Sequence, residues 1–400
     1  MTEAPWLTII GMGEDGPEAL CPASQEALQR AEIILAPPRH LSLLSPSHRA
    51  EKVEWPVPFA DGLSLLDGLR GRAVVVLASG DPFWFGAGSV IAKRYPTAEW
   101  HAYPAAATFS LIAAHLGWPL DQTLCLGLHA APLDRLRPHL ANGQRLIVLL
   151  RDGVAVANLA QYLCDNGFEA SLLTICEAMG GPRQKITEMV ANTLPDQNFA
   201  HPVAAAINVA GSGPALPVSS GKPDAFFDHD GQITKQLIRA ATLSALAPKP
   251  FESLWDIGGG SGSIAIEWLL AHPTTQAVAI EPVADRVARI KSNANRLGVD
   301  RLSVVEGAAP DALSKLRPPD AVFVGGGLSA ALLTFLFEAL PPGTRLVANA
   351  VTLESEALLQ DWSAEHGGGL TRISLEHTVP IGSKRGWKAS FPIVQWSVVL

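Results

Sequence analysis

The run Asp256-Ile257-Gly258-Gly259-Gly260-Ser261-Gly262 sets a carboxylate near the end of an apolar stretch and follows it with glycines at alternate positions. A strand that enters a glycine turn and then a helix presents backbone N–H groups to a ligand, and glycine leaves that ligand room to approach the strand end. A dinucleotide site of this kind requires G-x-G-x-x-G, and Ser263 stands where the third glycine belongs. A pyrophosphate gains little from Asp256, whereas a ligand with a sulfonium and an ammonium is attracted by it. The loop therefore suits S-adenosylmethionine; a tight left-handed corner without a ligand is the alternative. Glu281 ends the next apolar run, where a carboxylate can accept hydrogen bonds from both hydroxyls of a ribose; the alternative is a solvated strand end. Glu306-Gly307-Ala308-Ala309 follows a third run with residues small enough to admit an adenine, and Val324-Gly325-Gly326-Gly327 closes a fourth. Thr234 precedes the first helix of this half.

The first half holds a different set. Leu7-Thr8-Ile9-Ile10-Gly11-Met12-Gly13 runs into Gly16-Pro17, and a buried-type run ends in Ser79-Gly80-Asp81-Pro82, a turn whose exposed backbone polar groups a ligand can satisfy. No acidic strand end follows the first loop at dinucleotide spacing, so it is not a second copy of the Asp256 unit. Cations that could meet a polycarboxylate are Arg39, His40, His129 and Arg183 in this half, and Lys235, Arg239, Lys384, Arg385 and Lys388 in the other. Each alone reads more readily as a solvated surface charge; Ser383-Lys384-Arg385-Gly386-Trp387-Lys388, between the last two strands, is the cluster expected to bind an acceptor. No G-x-S-x-G elbow occurs and no His or Cys group has ligand spacing, so no metal is expected and no catalytic side chain is assigned.

These residues need elements to hold them. Short apolar runs at Leu7–Gly11, Ala73–Ala78, Arg145–Leu150 and Val203–Val209 alternate with helical spacing at Ser24–Ala31, Gly88–Arg94, Thr108–Leu116 and Val154–Asn166, which predicts α/β layering. Residues 211–230 shift to Gly, Pro, Ser and Asp and are expected to be a linker between domains at 1–210 and 231–400. The second half predicts helices at Thr234–Leu246, Ser263–Leu270, Val283–Leu297 and Ala330–Leu340. Its strands are Ser253–Ile257, Ala277–Ile280, Leu302–Glu306, Ala321–Val324 and Thr344–Ala348. Arg372–Val379 and Phe391–Val399 then predict an antiparallel pair, joined by a loop at one sheet edge.

The 400 residues exceed one core, and 48% hydrophobic with 17% charged residues describes a well-buried globular chain. Thirty basic against 38 acidic residues give a net charge of -8, which disfavours nucleic acid and anionic membrane surfaces as partners. The start carries no signal-peptide pattern, no stretch reaches the roughly 18 apolar residues of a span, and four scattered cysteines suit a reducing compartment, so the expected location is the cytoplasm.

Residues 231–400 resemble class I methyltransferases, and more closely the precorrin methyltransferase and decarboxylase of the corrin pathway. The likeness lies in Gly231-Gln232-Ile233-Thr234-Lys235, the Asp256 loop, Ala279-Ile280-Glu281, Glu306 to Pro310 and Val324 to Gly327. Residues 5 to about 210 resemble the tetrapyrrole methylase family, the class III methyltransferases. Here it lies in the first glycine loop, Gly80-Asp81-Pro82 and Tyr103-Pro104-Ala105-Ala106-Ala107-Thr108-Phe109, with Ala36 to Leu41 and Gly127-Leu128-His129 nearest the branch that methylates carbon 5. Ala105 stands where that family more often has glycine.

The resemblance implies a two-lobed N-terminal methylase, crossing between lobes near Pro104, fused to a C-terminal Rossmann-like methyltransferase. It implies two S-adenosylmethionine per chain. One would be held by Pro17, Gly80, Asp81, Ala107, Thr108 and Leu150. The other would be held by Thr234, Asp256, Gly258, Gly260, Gly262, Glu281, Gly307, Ala308 and Ala309. The implied acceptor is the anionic tetrapyrrole precorrin-6B, contacted by Arg39, His129, Lys384 and Arg385. It would be methylated at carbons 5 and 15 and would lose the ring C acetate carboxyl, giving precorrin-8X by a homo-oligomeric enzyme. Two alternatives stand beside this reading: another tetrapyrrole acceptor, or one half acting as a silent binding module.

Overall fold

The computed structural model describes residues 5–193 and 198–400, and these described residues fall into two compact units, one within 5–132 and 141–214 and the other within 133–140 and 215–400.

The first unit contains two sheets. Strands β1 (Leu7–Met12), β2 (Ile33–Ala36), β3 (Glu51–Glu54), β4 (Val74–Ser79) and β5 (Trp100–Tyr103) form a parallel sheet in the order β3-β2-β4-β1-β5. Every residue of β2 is buried, because parallel strands are covered on both faces by their crossover helices. These helices are α1 (Pro22–Arg30), α2 (Pro38–Leu43), α3 (Phe59–Asp67) and α4 (Gly88–Arg94). The chain leaves β5 at Tyr103, and α5 (Thr108–Leu116) packs its Phe109 and Ile112 against Ile147, Cys176 and Ala204 of the second sheet, so the crossing spans Pro104. That sheet runs β6-β7-β10-β8-β9, with β6 (Leu124–Gly127), β7 (Arg145–Leu150), β8 (Leu172–Glu177), β9 (Lys185–Val190) and β10 (Val203–Asn208). Only β6 and β7 pair in parallel; α6 (Val154–Asp165) follows β7.

In the second unit, α7 (Gln236–Leu246) precedes β11 (Ser253–Ile257), α8 (Ser263–Ala271), β12 (Gln276–Glu281), α9 (Ala284–Arg296), β13 (Ser303–Glu306), β14 (Ala321–Val324), α10 (Ala330–Ala339) and β15 (Arg345–Ala350). Then come α11 (Leu353–His366), β16 (Gly369–Ile373), β17 (Glu376–Ile381), β18 (Lys384–Ala389) and β19 (Ile393–Val399). The sheet order β13-β12-β11-β14-β15-β19-β16 reverses direction between β11 and β14, which opens a crevice at the carboxyl ends of those strands. One apolar cluster, with Trp268 and Phe323, fills the α7–α8–α9 face, and another, with Leu336 and Trp396, fills the opposite face.

Two regions depart from the sequence reading. The run expected as one strand over Arg372–Val379 breaks at Ser374 and Leu375: β16 joins β19 in the large sheet, while β17 pairs with β18 outside it. The residues read as a connecting loop there form the hairpin, turning through Gly382 with φ 55°. The glycine-rich stretch after Gly211 carries little regular structure beyond a 3-10 turn at Asp224–Phe226. It is nevertheless anchored, with the Gly221 and Lys222 nitrogens donating to the buried Glu267 carboxylate at 2.7 and 2.9 Å.

Candidate functional site

At the carboxyl ends of β11, β12 and β14 lies a cavity of about 490 Å3. Two glycine turns form its floor. A Cβ on Gly258, where φ is 75°, would stand 2.6 Å from the Gly326 nitrogen, so these turns meet backbone to backbone. Gly260 also has a left-handed φ of 59°, but with nothing nearer than 3.7 Å its requirement is conformation and not space. Gly262 caps α8 and lies outside the cavity wall; a Cβ there would come 2.9 Å from Ile290 Cγ2, so helix packing accounts for this glycine.

Asp256 is buried, and its Oδ2 accepts from the Ala265 nitrogen at 3.1 Å. Burial pushes its carboxyl up to about 7, against the Ala265 N–H that favours the charge and with a smaller push from Glu281. Glu281 is aimed by two backbone donors, Gly260 N to Oε2 at 2.9 Å and Val283 N to Oε1 at 3.1 Å, and each oxygen keeps a lone pair for a ligand hydroxyl. Thr234, Gly307, Ala308 and Ala309 complete the expected wall.

A strap crosses the glycine loop. Asp230 pairs with Arg286 and Arg289, each at 3.0 Å, and Arg286 also donates to Gln232 Oε1 at 2.7 Å. The Gln232 N–H and these two guanidiniums hold the Asp230 carboxyl down at about 2. Arg239, read from sequence as a possible substrate cation, is fully buried beneath the strap. It donates to Glu267 Oε1 at 2.6 Å, pairs with Asp224 at 3.1 Å, and bonds the Thr234 and Lys222 carbonyls, so it positions the strap and cannot meet an acceptor.

Lys235 lines the cavity. Lys384 and Arg385 do not: they open β18 on the exposed hairpin, while His377 of β17, Phe391 beyond the hairpin and Asn349 of β15 line it instead. Asn349 is fixed by donating to Thr242 Oγ1 at 2.9 Å and accepting from Gln395 Nε2 at 2.9 Å. Reasoning from motifs missed these three, since they arrive on late strands with no glycine or charge pattern to mark them.

In the first unit, residues of both sheets enclose a second cavity of about 620 Å3. Gly80 has φ 56°, and a Cβ on it would lie 3.0 Å from both Ala106 O and Ala107 Cα. Gly80 N donates to Met12 O at 3.1 Å and Ala105 N donates to Gly80 O at 3.2 Å, so three loops lock together through backbone, with alanine accommodated at 105. Asp81 Oδ1 accepts from Phe83 N at 2.8 Å, which sets the turn. Gly80, Asp81, Ala107, Thr108 and Leu150 all line the cavity, as do Arg39, His40 and His129. Pro17 does not; it opens a 3-10 turn, and Met12, Gly13 and Glu14 take that part of the wall. His40 is buried, and burial with the Arg39 charge pushes its imidazole down to about 3.

Residues 6–195 match the family described as Tetrapyrrole (Corrin/Porphyrin) Methylases, and residues 225–400 match the Precorrin methyltransferase domain. A Precorrin-6Y C(5,15)-methyltransferase [decarboxylating] of Sinorhizobium sp is 46% identical over 98% of this chain and 96% of its own. A protein of the same name from Mycobacterium tuberculosis is 37% identical over 98% of this chain and 99% of its own. The cobalt-precorrin-6B C(15)-methyltransferase (decarboxylating) of Salmonella typhimurium is 30% identical over 40% of this chain and 85% of its own.

Proposed function

We propose a division of labour between the two sites from the premise that this chain belongs to the family of decarboxylating precorrin-6Y C(5,15)-methyltransferases. The chain is an enzyme of cobalamin biosynthesis that methylates a precorrin and decarboxylates it, and its cofactor is S-adenosylmethionine. In our reading the first domain, residues 1–210, methylates carbon 5. The second, residues 231–400, methylates carbon 15 and removes the carboxyl of the ring C acetate, in keeping with the Salmonella relative that carries those two activities in its name.

The observation that carries this is the presence of two separate cavities, each at glycine turns where an added Cβ would meet backbone. In this reading the chain carries two cofactor sites. When bound, the cofactor supplies a methyl group on a sulfonium, ready for in-line displacement by an electron-rich ring carbon. In the second domain Asp256 offers a carboxylate to the cationic end, Glu281 accepts from the ribose hydroxyls, and Gly307, Ala308 and Ala309 leave space for the base. In the first domain Gly80 and Asp81 hold the turn beside Ala107, Thr108 and Leu150, with Arg39 and His129 facing the acceptor.

Transfer needs alignment and exclusion of water more than a proton relay. Ile373, Leu375, Phe391 and Ile393 give the cavity of the second domain an apolar wall. A carboxylate held there is poorly solvated and favours leaving as carbon dioxide; its bonding electron pair passes into the macrocycle and a proton then returns to the side-chain carbon. Lys384 and Arg385, on the hairpin, act as an outer electrostatic contact for the acceptor's other carboxylates. Four free thiols, Cys21, Cys125, Cys164 and Cys176, support a cytoplasmic location, and we expect a homo-oligomer. Among the described residues no helix is long and apolar enough to cross a membrane.

Calorimetric titration of the full chain with S-adenosylmethionine tests the division. Two equivalents should bind, with Asp81→Ala and Asp256→Ala each removing one. A single equivalent in the unsubstituted chain would overturn it.

A further inference from the structure

Glu14 places one carboxylate between two guanidiniums. It follows β1, is 6% exposed, ion-pairs with Arg39 through one oxygen and accepts from Arg183 Nη2 at 2.8 Å through the other. Arg39 Nη2 also donates to Ser79 Oγ at 2.7 Å and bonds His40 Nε2 at 3.2 Å. Because arginine only donates, His40 Nε2 is the acceptor and the ring is neutral, in agreement with the downward push on it. His201, also in the wall, is held below its ordinary range by burial first and then by Arg39 and Arg183. Asp152 faces His201 but pairs with Arg151 at 3.3 Å. Two positive charges therefore share one negative charge. Among the described residues, the Nε proton and one Nη1 proton of Arg39, which lines the cavity, remain uncommitted.

We propose that this unbalanced cluster seats one peripheral carboxylate of the acceptor: Arg39 takes it directly, while Glu14 and Arg183 set the charge and position of Arg39. The inference rests on the reading that this cavity takes the tetrapyrrole for methylation at carbon 5. Arg183 stands outside the wall, between β8 and β9, and acts through Glu14 as a positioning residue.

Glu14→Gln and Arg183→Gln remove the same 2.8 Å ion pair, so a cluster that merely clasps the two loops shifts the acceptor KM in the same direction in both. A seat lacking one anion gives opposite signs. In the full chain, with carbon 5 methylation as readout, Glu14→Gln should lower the acceptor KM and Arg183→Gln should raise it, each by roughly tenfold from one charge at short range. Arg183→Lys, which keeps the charge, should stay near the original KM and serves should a glutamine variant fold poorly. Shifts of the same sign, or no shift, would overturn the seat. A chain that transfers no methyl to carbon 5 would instead overturn the reading beneath it.

Discussion

Asp256 is a carboxyl that burial in the fold keeps difficult to ionise, at about 7 against an ordinary 3.8. A cationic cofactor favours the carboxylate, so binding expels a proton below about pH 7. Affinity for S-adenosylmethionine in the second unit should therefore weaken by up to about tenfold per pH unit as pH falls below 7, and Asp256→Asn should flatten that slope. The same shift means that between about pH 4 and 7 the folded chain holds more protons than the unfolded chain. The contribution to stability is complete below about pH 4 and is lost as pH rises toward 7. Titrations in two buffers of different ionisation enthalpy read the released proton directly; an affinity constant from about pH 5.5 to 8 would refute it. Gly258, Gly260 and Gly80 were legible in the sequence because a strand that runs into glycine marks backbone that must turn left-handed or admit a close neighbour. Gly262 and Arg239 were not, because what fixes them, Ile290 and the Glu267 carboxylate, is brought close only by the packing of helices that lie far apart in sequence.

The elements that carry the site were legible wherever burial writes a period into the chain. The four glycine turns sit at the strand ends where alternating β and α patterns put them, and β11 and β14 agree with expectation residue for residue. Helix α11 escaped because only Leu359 of it is buried, leaving no apolar stripe; its trace was the Thr352 cap, whose side chain accepts from Ser355 N at 3.2 Å, with Glu354 and Glu356 in the first turn. The β17–β18 hairpin escaped because most of its residues are exposed. Two predictions belong at this scale. Arg239→Ala leaves Glu267 charged and buried without its main partner and should cost about 3–5 kcal/mol, seen as a large fall in the melting temperature of the second unit; an unchanged melt would show that the strap is held otherwise. Lys384→Ala with Arg385→Ala should raise the acceptor KM modestly, with an effect that disappears at high salt and leaves cofactor affinity intact. Unchanged acceptor binding at low salt would remove the hairpin from acceptor recognition.

Across the whole molecule, a parallel five-stranded sheet with a mixed partner and a separate seven-stranded sheet with an antiparallel edge each carry one cavity with its own glycine turns. Sequence conveyed this pairing because both halves end strands in glycine. It could not convey where the acceptor lies, since cavity walls are assembled from residues far apart along the chain. The most direct test is the mass of the product after the full chain is incubated with reduced precorrin-6 and S-adenosylmethionine. The account predicts a gain of two methyl groups with loss of one carbon dioxide. An unchanged acceptor mass under conditions where the cofactor is bound would contradict it.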